Sequence, residues 1–161
     1  MVGKVQYILI AGVMFLVSQM SLTVNSRILQ AKGLSTENES ILAATSCAQS
    51  FLREVVAKKF DEGAIGKKVT SVDTLTALMS LGPDLGETYA TFDDVDDFNG
   101  YTRTVSNDRL GNFSMSVAVN YTSKSPLGST SSVRTFMKGV TVTVSSPYLP
   151  KALEMKTVVS Y

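Results

Sequence analysis

Twenty consecutive residues near the start of the chain, Val5 to Val24 (VQYILIAGVMFLVSQMSLTV), carry no charged side chain and few polar ones. At helical rise such a stretch covers about 30 Å, the thickness of a bilayer's hydrocarbon layer. Lys4 and Arg27 bracket it, where they would meet the two interfaces. A chain of 161 residues buries one modest core, which is a poor place for a helix apolar on every side, although burial there is an alternative reading. A secretory signal is another alternative, but the candidate cleavage sites around Ser18 to Ser21 put Gln or Met where small residues belong. Orientation is weakly specified, because Lys4 and the terminal amine stand against Arg27 and Lys32.

Composition removes several chemistries. The chain has no histidine and one cysteine, Cys47, so a Ser/His/Asp triad, a Cys/His dyad, a His-containing zinc site and an intramolecular disulfide are all excluded. Cys47 lies among Ala43, Ala44 and Ala48 and reads as a small buried hydrophobe. With a formal charge of +1 and no dense run of Lys or Arg, nucleic acid is not an expected partner. No P-loop or dinucleotide fingerprint occurs, and we expect no catalytic residues, cofactor or resident metal.

Beyond the apolar stretch, Thr36 to Glu39 (TENE) fits a capping box, and Gly33 is a possible break before it. From there Ile41, Ala44, Ala48, Phe51, Leu52, Val55 and Val56 recur three or four apart, opposite Arg53, Glu54, Lys58 and Lys59. That spacing predicts an amphipathic helix ending near Asp61, ahead of Gly63 and Gly66. Ser71 to Leu81 reads as a second short helix, closed by Gly82-Pro83. The period then changes to two. Tyr101 to Val105 and Phe113 to Thr122 alternate, the latter with Phe113, Met115, Val117, Val119 and Tyr121 on one face, and turn residues between them predict a hairpin. Ser123 to Ser132 reads as a polar loop, Val133 to Ser145 as a strand with a possible bulge at Gly139, and Leu153 to Tyr161 as the last strand. The expected fold is α+β, a long N-terminal helix packed on a four-stranded antiparallel sheet. It divides as 1–27, an apolar membrane or core helix; 28–62, an amphipathic helix continuing into the head; and 63–161, a globular β-meander head.

Six of the 14 acidic residues fall between Asp84 and Asp97. Asp93, Asp94, Asp96 and Asp97 are chemistry that hard cations such as calcium favour, but an EF-hand register with Gly100 at the turn puts Val95 at the first position and Ser106 at the last. The preferred reading is a solvated turn in which Asp and Asn side chains cap backbone groups, with Phe92, Val95 and Phe98 anchoring it to the head. A calcium site of other geometry stays open, as does glycosylation at Asn38, Asn112 and Asn120 in a host that performs it. Gln6, Ser18 and Gln19 are polar within the apolar stretch and would hydrogen-bond neighbouring helices or lie at the interfaces; Gly12 allows close helix approach.

An apolar helix running into an amphipathic one and then a β-meander resembles the type IV pilin and pseudopilin superfamily. Residues 91–101 (TFDDVDDFNGY), 138–147 (KGVTVTVSSP) and 153–161 (LEMKTVVSY) look like the heads of MSHA-type minor pilins. The resemblance implies a structural subunit held in the bacterial inner membrane by its apolar helix. That helix would later pack with its own copies in the core of a thin extracellular filament built with other pilus or secretion components, for adhesion, motility or secretion. The chain departs from the pattern at its start: the nearby glycine is Gly3, Lys4 follows it, Ile8 stands where the family has a glutamate, and no acidic residue precedes Glu37. The alternative is a single-pass anchored binding module that does not polymerise.

Overall fold

A computed structural model describes every residue except Met1 and Ile65, and in the first turn the side chains of Val2 and Val5 are also left aside. One helix, α1, runs over Val2–Val56. Five strands follow: β1 (Thr102–Asn107), β2 (Gly111–Lys124), β3 (Leu127–Thr130), β4 (Met137–Ser145) and β5 (Leu153–Ser160). They form an antiparallel sheet in the order β1-β2-β4-β5, with β3 pairing the far end of β2. By internal contact the chain divides into residues Met1–Glu39 and Ser40–Tyr161, so the second half of α1 belongs with the sheet.

Nothing interrupts α1 at Gly33 or Thr36. A single glycine costs about 1 kcal/mol in a helix, too little to break one this long. Thr36 caps nothing; its hydroxyl donates back to the carbonyl of Lys32 at 3.1 Å. The helix does end earlier than its pattern suggests. At Lys59 the backbone pairs sideways with the aspartate-rich loop, its N–H donating to Asp93 O and its carbonyl accepting from Val95 N.

The expected helix over Ser71 to Leu81 is instead two 3-10 turns, Val72–Thr74 and Leu78–Ser80, separated by extended backbone. The cause is Thr76, whose N–H donates to both oxygens of the Asp61 carboxylate and whose carbonyl accepts from the Tyr121 hydroxyl. A backbone engaged in that way is not free to close helical turns.

Among the described residues, fifteen buried hydrophobic side chains make the main core. Ala44, Ala48, Phe51 and Val55 of α1 meet Phe113, Met115, Val117 and Val119 of β2 and Val140, Val142 and Val144 of β4, with Phe92, Val95 and Phe98 closing one end. A smaller cluster joins Phe60, Val69, Leu75 and Tyr121. The alternation read along β2 is the observed one: every second residue from Phe113 to Tyr121 is buried. The β1–β2 hairpin turns at Gly111, whose φ of +69° suits glycine, while Asn107 accepts from the N–H groups of Arg109 and Leu110.

Two expectations for the sheet need correcting. The sheet has five strands, because Leu127–Thr130, inside the stretch read as a polar loop, returns along β2. Gly139 is not a bulge; the β2–β4 register runs evenly from Ser114↔Ser145 to Tyr121↔Lys138. A Cβ on Gly139 would stand 2.6 Å from the Thr122 Cγ2, which is why the position has no side chain.

Candidate functional site

In residues Met1–Glu39 the site is a surface. Tyr7, Leu9 and Phe15 are 76%, 63% and 65% exposed, and Ile8, Ile10, Val13, Met14, Leu16, Val17, Met20, Leu22 and Val24 are comparably open. The helix is long and apolar enough to cross a membrane, and none of its apolar stretch is buried. Three of its hydroxyls are satisfied within the helix: Ser18 donates to Met14 O, Thr23 to Gln19 O and Ser26 to Thr23 O, all within 2.9 Å. Ser18 therefore has its donor engaged and is weaker interhelical glue than its position suggests, whereas Gln6 and Gln19 are exposed. Gly12 has open space around its missing Cβ. Such a surface in water would expose far more contiguous apolar area than the few hundred Å² usual for a soluble monomer.

In residues Ser40–Tyr161 the chemistry is a charge cluster inside the core. The Lys138 ammonium, fully buried on β4, donates to the carboxylates of Asp61, at 2.6 Å, and of Asp96, and to the carbonyl of Phe60 at 2.8 Å. The rings of Phe60 and Tyr121 lie 4.8 and 5.4 Å from Nζ and exclude water from it. Asp61 is held from further directions by the N–H groups of Gly63 and Thr76 and by the Tyr121 hydroxyl. Burial, followed by the nearby Asp61 charge and its hydrogen bond, raises the Tyr121 hydroxyl far above its ordinary pKa, so it acts as a donor.

The aspartate-rich loop is only partly as expected. Its side chains do cap backbone groups: Asp94 accepts from the N–H of Asp96 and Asp97, and Asp97 from the N–H of Asp93 and Asp94. Asn99 donates to Leu81 O and accepts from Val119 N, pinning the loop to β2. The loop is only partly solvated, however. Asp93 is exposed, but Asp94, Asp96 and Asp97 are 1%, 2% and 5% exposed, because the anchors Phe92, Val95 and Phe98 draw that part of the turn inward. Burial first, then the Asp96 charge and hydrogen bond, push the Asp94 carboxyl up to about 8, so it holds its proton at neutral pH.

Carboxylate oxygens of Glu87, Asp93 and Asp97 lie within 4.8 Å of one another. The Asp84 N–H favours the Glu87 anion, but desolvation, a hydrogen bond with Asp97 and the charges of Asp97 and Asp84 outweigh it and raise the Glu87 pKa. A shared proton accounts for this contact as well as a cation would, and no metal is assigned. Cys47 is half-buried against the core, and Asn38, Asn112 and Asn120 are exposed. The Asp61–Lys138–Asp96 cluster had no signal in the sequence, since its members are 77 and 42 residues apart along the chain.

The chain matches no protein-family model, no curated protein sequence and no solved structure.

Proposed function

We propose that the chain is a structural subunit of a pilin-like extracellular filament, anchored in the bacterial inner membrane before assembly and polymerising through its N-terminal helix. The observation that carries this reading is the exposed, predominantly apolar exterior from Tyr7 to Val24, on a chain whose head already completes its own core. Lipid covers that exterior in the membrane, and identical helices cover it in a filament core. Exchange between two apolar surroundings costs little, so one helix can serve in both. The filament's role is adhesion, motility or secretion, and its partners are its own copies and other pilus or secretion components. The motifs in residues 91–101, 138–147 and 153–161 support the same reading.

Replacing Val13, 59% exposed near the middle of the apolar stretch, by Asp places an uncompensated charge there at a cost of about 3 kcal/mol per copy. Filament yield, read by electron microscopy of cells expressing the variant, is expected to fall to nothing. Filaments as abundant as in the wild type would end the proposal. A second reading, an anchored binding module that stays in the membrane, is favoured by one observation: the apolar helix carries no glutamate, with Ile8 where the pilin pattern has one. Under it the wild type forms no fibres at all.

A further inference from the structure

We infer that Lys138 and Asp96 are joined by an intramolecular isopeptide bond, with Asp61 taking the proton that frees the amine. The inference concerns the head alone and stands whether or not the chain polymerises. Three features of the cluster carry it. The amine is fully buried and within hydrogen-bonding reach of both carboxylates, so nucleophile and carbonyl carbon are held together with no chain motion required. Phe60 and Tyr121 flank the amine with ring carbon, leaving the reacting atoms dry. The two carboxylates also differ in their partners. Asp61 is held in place by Gly63 N–H, Thr76 N–H and the Tyr121 hydroxyl, with the Lys138 amine beside it. Asp96 has Asp94 as its carboxyl neighbour, and Asp94 keeps a proton at neutral pH that it can lend to a departing oxygen.

The step balances without a co-reactant. Lys138 Nζ begins with three protons. One passes to Asp61, leaving a neutral amine that attacks Cγ of Asp96. A C–N bond forms, a C–O bond of the Asp96 carboxyl breaks, and the oxygen leaves as water after Asp94 and Asp61 between them have supplied its two protons. Asp94 recovers its proton from the nitrogen, so both assisting groups end as they began. The amide keeps one N–H, which Phe60 O is placed to accept. The driving force is removal of two buried charges from a low-dielectric interior, where an ion pair recovers little of its desolvation cost, in exchange for one neutral amide. The bond would tie β4 to the loop ahead of β1.

The test is tandem mass spectrometry of the full-length wild-type chain, extracted in detergent, denatured and digested with trypsin. The expected product is a branched species joining residues 69–103, which contain Asp96, to residues 135–151, which contain Lys138, lighter than their sum by one water and uncut after Lys138. Separate linear peptides, with cleavage after Lys138, would overturn the inference. So would linkage of Lys138 to residues 60–67, which contain Asp61. In the Asp96→Ala chain no branched species should form and trypsin should cut after Lys138; a branched species persisting there would also refute the assignment.

Discussion

The two parts of this chain invert each other. Residues Met1–Glu39 leave apolar side chains outside, while residues Ser40–Tyr161 take an ammonium and several carboxyls inside. The contrast shows that burial follows available partners as well as polarity. In the head, each buried charge meets fixed donors or acceptors: Lys138 has two carboxylates and a carbonyl, and Asp61 has backbone N–H groups and a tyrosine hydroxyl. Along the first part of α1 the backbone is satisfied within the helix, so its surface asks only for an apolar neighbour.

Substituting one aromatic residue in each part tests this contrast most strongly. Phe51→Ala removes a fully buried ring packed against Phe98 and Tyr101 and should lower head stability by about 3–5 kcal/mol. Phe15→Ala, at a residue 65% exposed, should change it by less than about 0.5 kcal/mol. Denaturant titration of the detergent-solubilised chain, followed by near-ultraviolet circular dichroism, reads both; equal effects would erase the distinction. Asp61→Ala strips the best-supported carboxylate from the cluster and should cost about 3–5 kcal/mol in the same titration, because it leaves the N–H groups of Gly63 and Thr76 and the Tyr121 hydroxyl without this acceptor.

A separate effect concerns pH. Asp94 has a folded pKa raised to about 8 from 3.8, so the folded state holds this proton more tightly than the unfolded chain does. Its contribution to stability is complete below 3.8 and is lost as pH rises through about 8. Asp94→Asn keeps an oxygen for the N–H groups of Asp96 and Asp97 and should flatten the fall in stability across that window. An unchanged pH profile would mean that Asp94 ionises normally.

Local patterns in the sequence carried much of this architecture. The inward face of β2 and the four α1 residues that enter the core follow from spacing alone, because a period of 2 or 3.6 maps directly onto one face of an element. Signals that compete with packing were misleading. Gly33 and Thr36 look like a helix boundary, yet the helix continues through both; Ser71 to Leu81 has helical spacing, yet Asp61 and Tyr121 claim the Thr76 backbone. The buried cluster was the least legible feature. Asp96 and Lys138 look like surface charges in a one-dimensional reading, and only the pairing of β4 beside β2, with the loop folded inward, brings them together.

The claim that most needs testing is that sister helices cover the exterior of α1 outside the membrane. Electron microscopy of the purified wild-type chain as detergent is removed addresses it directly. Thin fibres with the helices bundled at their centre and the heads outside are the predicted result; a chain that remains a dispersed monomer, or that returns only to lipid vesicles, would contradict it.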